Sequence, residues 1–421
     1  MPDGQANNPV LRRDIDLLPM QAADGNTLIV VRDPLELDSR GPLAISSGAL
    51  PLLSLLDGRN SAEEIRRNLV EQSARAGQLT AIPIEVVESV IRGLDEAYLL
   101  DNGRYHQAKE KLVESFTGLR ERPAALAGKS YPDQTQACLE FIEEMLGDEA
   151  AGAKAGELAR ADLVALVAPH IELRVGRKIY SAAYGALAGR SYDRVIVLGV
   201  GHNLERGLFS ITEKDYLTPL GRVPTDRLAV RRLRKAAGSL AAADDFAHRS
   251  EHSVEFQVLL LQHVLGGDFS LVPVLCGSLF EFLIAGRGAR PRDLAPLVPA
   301  LDCLAELIAD PNCRTLVVAG VDFCHIGPKF GDTRPAVQIS RDAASHDRAL
   351  VTHLTALDVE AFCREGRHVR DRYHVCGFTA LSLLLEVLPK GVKGVELGRQ
   401  IWHETATRSA VTFAAAAFVR E

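Results

Sequence analysis

The sequence predicts an α/β protein: a mixed or mostly parallel sheet flanked by helices, preceded by a small winged-helix unit. Three observations carry this. Four short apolar runs, at 163–167, 194–199, 271–275 and 315–319, lack polar alternation, as strands covered on both faces do. Helical segments lie between them, at 178–187, 226–237 and 254–264. The first 110 residues have another rhythm, short helices and then a hairpin signal. A chain of 421 residues is also too long for one ordinary core, so two domains are expected.

Taken in order, residues 42–45 read as a strand, and Leu50, Leu53 and Leu56 as a helix closed by the Asp57-Gly58 turn. Ser61-x-x-Glu64 is a capping box opening a second helix, with Ile65 and Leu69 on one face. Ile84, Val87, Ile91 and Leu94 recur at the spacing of a third helix. Tyr98-Leu99-Leu100 and Arg104-Tyr105 flank Asp101-Asn102-Gly103, which suggests two short strands around a tight turn. That is the winged-helix order, and it gives a first domain over 1–110. A charged, helix-prone stretch then breaks at Pro123 and Gly128; within it, 111–121 serve as connector to a second domain over 122–421. In the second domain Asp133 is placed to cap a helix whose Cys138, Phe141, Ile142 and Met145 share a face.

Composition narrows the function. Hydrophobic residues at 47% and charged residues at 24% are an ordinary globular balance. No apolar run approaches the roughly 18 residues that span a bilayer, and the N-terminus lacks the pattern of a signal peptide. A cytoplasmic protein with no membrane partner is expected. A net charge of −7 argues against nucleic acid, since phosphate binding needs a basic surplus. The seven cysteines are scattered with no C-x-x-C, so neither a disulfide framework nor a zinc ribbon is indicated.

The chemistry gathers at strand ends. VALVAPH ends at His170, VIVLGVGHN at His202, and LVVAGVDFCH at Asp322 and His325. In open α/β sheets the ligand crevice lies beyond the carboxyl ends of the strands, so these residues are aimed at one place. A single histidine there is more often a hydrogen-bonded structural residue; joint placement is what points to a metal, for which neutral imidazole is a good ligand. Gly199-Val200-Gly201 could cradle a phosphate, but Leu204 stands where the third glycine of that pattern belongs. Glu251 and His252 stand at the start of a helix, where polar side chains often face a cleft. Cys376 precedes the apolar helix LSLLLEVL, where a thiolate would have a depressed pKa; its bland alternative is a small buried side chain.

From Arg122 onward the segments RPAALAGKSYP, VAPHIEL, VLGVGHN, LTPLGRVPTD, EHSVEFQ, VPVLCGS, AGVDFCHIG and HVCGFTAL resemble, in order, the MEMO family, called AmmeMemoRadiSam system protein B in its bacterial and archaeal forms. Two departures alter the pocket wall: Ile171-Glu172-Leu173 after Pro-His, and Asn203 where a further His is frequent. LLSLLDGRNSAEEIRRNL and VIRGLDEAYLL resemble PqqD-like peptide-recognition domains, which hold a peptide at a strand edge.

The resemblance implies a fold similar to the class III extradiol dioxygenases, which are non-haem iron enzymes. It implies His170, His202 and Cys376 as metal ligands, with Asp322, His325 and His252 lining the pocket. Glu251, Asp322 or His325 would orient imidazoles or relay protons. Fe(II) is the expected ion, with copper or zinc as alternatives, and the expected activity is metal-dependent redox chemistry on an unknown substrate. The alternative is a non-catalytic adaptor with a vestigial metal site, binding a peptide, a radical SAM enzyme or an AMMECR-type protein through the N-terminal module. Metal-assisted hydrolysis with Glu251 or Asp322 as base ranks below both.

Overall fold

The computed structural model describes residues 8–21, 27–77, 81–147, 158, 161–286 and 288–420. Residues 1–7, part of the N-terminal stretch compared above with the signal-peptide pattern, lie outside the described residues. The chain forms two compact units, residues 1–118 and 119–421.

The first unit begins with an antiparallel sheet of β1 (Asp16–Gln21), β2 (Thr27–Arg32) and β3 (Leu43–Ser46), in that spatial order. Helices α1 (Leu50–Ser54), α2 (Ala62–Arg75), α3 (Ile84–Glu96) and α4 (Gly103–Thr117) follow. Ile29, Val31, Leu53, Ile65, Val87 and Leu94 form its core. The capping box of α2 is present: Ser61 N–H donates to Glu64 Oε2 at 2.8 Å, and Glu64 N–H to Ser61 Oγ at 3.3 Å. The expected wing is not. Asn102 Oδ1 accepts from Tyr105 N–H at 3.1 Å and so caps a helix where the hairpin was expected. An Asx residue before a helix-prone stretch serves either role, and the charged run that follows decides for the helix. The sheet therefore lies ahead of the helices. Residues 111–117, expected as connector, are the end of α4.

The second unit is a mixed α/β domain. Its small sheet joins β4 (Glu121–Arg122), β8 (Asp215–Thr218) and β9 (Gly221–Val223). Its large sheet is built on four parallel strands, β5 (Asp162–Ala168), β6 (Arg194–Val200), β10 (Ser270–Cys276) and β11 (Thr315–Gly320). These are the four apolar runs of the sequence. They pair in the order β5-β11-β6-β10. Antiparallel strands close both sides: β7 (Phe209–Ile211) on β10, and β14 (Ser409–Arg420) on β5. β14 also carries β12 (His325–Ile326) and β13 (Lys393–Glu404).

Period-two alternation divides the side chains between two cores. Ile196 and Leu198 of β6 enter one and Val195 and Val197 the other. The second core is filled by α5 (Thr135–Leu146), α6 (Leu173–Gly185) and α8 (His252–Leu265). The first takes residues of α7 (Arg227–Ala237), α9 (Phe280–Ile284), α10 (Val298–Ala309), α11 (Ser340–Thr355), α12 (Val359–Val369) and α13 (Phe378–Val387). Cys138, Phe141, Ile142 and Met145 of α5 are buried together, but the residue at the N-cap is Gln134, not Asp133, and its side chain makes no capping bond. Among the described residues no helix is long and apolar enough to cross a membrane.

The start of α8 lies against the ends of β6 and β11 with almost no clearance. A Cβ at Gly320 would fall 2.5 Å from the Ser253 carbonyl oxygen, and one at Gly199 2.6 Å from Ser253 Oγ. Gly320→Ala is therefore expected to destabilise the domain by about 1–3 kcal/mol through overpacking against backbone that cannot yield. Urea unfolding measures this, and an unchanged midpoint would contradict the close approach.

Candidate metal centre

The centre is built where β5, β11 and β6, three neighbours in the sheet, end side by side. His170 follows β5 by two residues, Asp322 follows β11 by two, and His202 follows β6 by two. Parallel pairing puts all three at the same edge, which is why strand-end residues far apart in sequence can meet. The fourth contributor is the first turn of α8. Ser253 Oγ accepts from Val200 N–H at 3.0 Å and donates to Val200 O at 3.1 Å, tying that turn to the end of β6.

His170, His202 and His252 come together, with a ligand atom of each within 4.8 Å of those of the others. The rings of His202 and His252 stack at 5.0 Å and 13°, and His170 stands edge-on to both. His252 thus belongs with the two strand-end histidines and not merely to the pocket wall.

The free nitrogens are set by the other side of each ring. His170 Nδ1 lies 2.9 Å from the Gly320 carbonyl, an acceptor only, so Nδ1 carries the proton and Nε2 is bare. Glu251 does the same for the other two: its carboxylate lies 3.0 Å from His202 Nδ1 and 3.2 Å from His252 Nδ1. It also accepts the backbone N–H groups of His202 (3.1 Å) and Ser253 (2.9 Å). Burial alone would raise the Glu251 pKa, but His202, His252 and these donors hold it well below the usual carboxylate range. Burial works against a proton on His202, yet the Glu251 charge prevails and raises its pKa. Burial, helped by the neighbouring histidines, drives the His170 pKa well down and keeps that ring neutral.

Cys376 meets the centre at His170. Its Sγ lies 3.5 Å from His170 Nε2 and donates to the Asp322 carbonyl at 3.4 Å. It sits two residues ahead of α13. Burial works against the thiolate expected at that helix start and raises the thiol well above its ordinary pKa. Asp322 Oδ1 accepts the His170 N–H at 3.0 Å, and its Oδ2 is 3.8 Å from His170 Nε2. Burial, opposed by that N–H, pushes the Asp322 pKa up to about 7. His325 does not touch the three rings. Its Nδ1 is shared between the Phe323 and His374 carbonyls at 3.0 and 3.1 Å, and burial lowers its pKa to about 4.

A cavity of about 550 Å³ opens beside these groups. His202, His325 and Cys376 line it, with Cys276, Phe280, Phe330, Asp371, His374 and Phe378. Sequence reading missed Cys276 and Phe280, although VPVLCGS ends a fourth parallel strand in polar residues just as the other three do.

It also gave no role to the two residues that fix the turn of Glu251. Arg122, with no exposure to water, forms an ion pair with the equally buried Glu255 and donates to the carbonyls of Glu251 and His248 at 2.9 Å each. Glu255 further accepts from Leu126 N–H (2.9 Å), Ala125 N–H (3.1 Å) and the Tyr131 hydroxyl.

A family model described as Memo-like protein matches residues 122–417. A MEMO1 family protein of Aquifex aeolicus is 30% identical over 391 residues, 92% of this chain and 95% of its own. That match reaches well into the first unit. MEMO1 family proteins of Thermus thermophilus and Methanococcoides burtonii are 28% and 24% identical over 313 and 277 residues. They cover 73% and 66% of this chain, and 83% and 90% of their own.

Two outcomes follow from the buried charges. Arg122→Met should cost about 3–5 kcal/mol in chemical denaturation, because it strands Glu255 without its counter-ion; a loss below about 1 kcal/mol would contradict the pairing. His248 and His325 both have folded pKa values near 4 caused by burial. Below about 6.5 the unfolded chain binds protons there that the folded chain does not. Their contribution is therefore full above 6.5 and is lost as pH falls toward 4. His248→Gln should flatten part of that slope in a pH series of unfolding midpoints.

Proposed function

Because the chain belongs to the Memo-like family, we propose that its second unit is a metal-dependent redox enzyme, related to class III extradiol dioxygenases, with Fe(II) at the histidine centre. The observation that carries this is the common orientation of three imidazoles. His170, His202 and His252 are each held through Nδ1, by a carbonyl or by Glu251, which leaves each Nε2 for an ion. Carboxylate- and carbonyl-held histidines of this kind are the usual support of metal ligands.

The donors fit an ion. A nitrogen at about 2.1 Å and a sulfur at about 2.3 Å from one centre stand about 3.6 Å apart at the tetrahedral angle. His170 Nε2 and Cys376 Sγ are 3.5 Å apart. We assign His170 and His202 as ligands, with Cys376 and His252 completing the set. Fe(II) in such a set supplies one-electron redox chemistry with coordination positions left for reactants; copper or zinc would suit the same donors. The buried thiol is expected to lose its proton only with an ion present, since burial alone favours the neutral form.

The remaining groups handle protons. Asp322, with its pKa near 7, can hold or release one at Oδ2 beside His170. His325 is neutral at pH 7, and its Nδ1 is committed to carbonyls, so Nε2 is the atom able to accept a proton from a bound substrate. Phe280, Phe330 and Phe378 would exclude water from the cavity they line.

A second reading is favoured by one observation: the first unit has its own core and recurs in a relative that spans 92% of this chain. In that reading the unit brings a peptide, a radical SAM enzyme or an AMMECR-type partner to the centre. Saturable binding of a purified radical SAM partner to the full chain, unchanged by loss of the ion, would favour the adaptor role.

For the leading reading, elemental analysis of protein purified without oxygen is expected to find close to one equivalent of iron. The His170→Ala, His202→Ala double variant should be empty, and Glu251→Gln should weaken metal affinity about 10–100-fold. Cys376→Ser should also reduce affinity. Full metal content in the double variant would sink the assignment.

A further inference from the structure

The cavity beside the histidines is unusual in its charge. Among its described lining residues there is no lysine or arginine, and the one formally charged side chain is Asp371. Three phenyl rings, Phe280, Phe330 and Phe378, form much of the remaining wall. We propose that this cavity takes an organic substrate bearing a cationic amine on an aromatic or apolar frame. The proposal rests on the reading of the centre as a metal-dependent enzyme.

The charge balance supports it. A divalent ion brings two positive charges. Facing it are the Glu251 carboxylate, 3.0 Å from His202 Nδ1, and the Cys376 sulfur, 3.5 Å from His170 Nε2. Asp371 adds a carboxylate at the wall; burial raises its pKa against the opposing pull of His374, the Val375 N–H and His346, and among the described residues no Lys or Arg ion pair is formed with it. An anionic substrate would meet no guanidinium or ammonium in this space. The ammonium of Lys329 lies 5.9 Å from the Phe330 ring, but it is paired with Glu404 at 3.1 Å. A cationic group would instead meet a carboxylate and the faces of aromatic rings, which attract cations through their quadrupoles. Fields of this kind act strongly in a recess walled by apolar groups.

The chain also accepts an unfavourable backbone to put these residues there. Asp371 and His374 have φ values of 56° and 46°, in the left-handed region that side-chain-bearing residues avoid. Such conformations persist only where surrounding contacts enforce them, and they cluster at functional sites. Here the His374 carbonyl accepts from His325 Nδ1 at 3.1 Å, which links the segment to another lining residue of the cavity.

The test uses two probes with the same ring and tether and opposite charge, 2-phenylethylamine and 3-phenylpropionate. They are titrated calorimetrically into full-length, iron-loaded protein. The amine is expected to bind about 10-fold tighter or better, a difference of about 1.4 kcal/mol or more. Asp371→Asn should bring the ratio close to one, and asparagine tolerates the left-handed backbone at least as well as aspartate. Equal or tighter binding of the carboxylate would overturn the inference, as would no amine binding or a preference that survives Asp371→Asn. Iron content measured on the same samples separates the two readings. Iron present without an amine preference defeats this inference alone, whereas iron retained in the His170→Ala, His202→Ala variant defeats the assignment of the centre.

Discussion

A guanidinium without access to water, that of Arg122, organises the centre from behind. Two of its bonds go to carbonyls of the segment preceding α8, those of His248 and Glu251, and its charge is matched by Glu255 one turn into the helix. Removing two charges from water is costly, and the mutual attraction compensates only when every donor and lone pair is used. Here two backbone N–H groups and the Tyr131 hydroxyl add their hydrogen bonds to Glu255, while Arg122 also donates to three carbonyls. The outcome is less a gain in stability than a fixed path for five residues. Along that path lie the carboxylate of Glu251, the ring of His252 and the hydroxyl of Ser253.

Everything at the centre then follows from distances that small residues permit. Gly199 and Gly320 let the first turn of α8 approach two strand ends, and Gly377 lets the segment after Cys376 approach Val321 and the Asp322 carbonyl. Glu251 translates this closeness into chemistry. One carboxylate fixes the tautomer of two rings, caps a helix and holds the backbone after β6. Because a single group serves four partners, the rings of His202 and His252 are not independent: displacing either changes the acceptor available to the other.

Much of this was legible in the sequence, and the reasons differ by element. The four parallel strands stood out because burial on both faces removes polar alternation. His170, His202 and Asp322 were legible because each follows such a strand by two residues. The long β13–β14 hairpin was not. Its SAVTFAAAAFVR strand is rich in alanine, which carries little strand preference, and it is defined by pairing with distant partners. The wing failed because Asn102 suits a turn and a helix cap equally. The part of His252 was underread, since only the fold shows a helix start lying on two strand ends. Arg122 and Glu255 lie 133 residues apart, and no local pattern announces a long-range buried pair.

The connectivity of the centre bears on when it can exist during synthesis of the chain. His170 touches Asp322 across 152 positions and Cys376 across 206. No subset of neighbouring residues supplies more than part of the donor set, and contacts of such high sequence separation form late, after loop closure has been offset by the core. A nascent chain that has exposed only β5 and β6 of the large sheet presents His170 and His202 without His252 or Cys376. The candidate donor set is therefore complete only once the domain has closed, because its members come from distant parts of the chain.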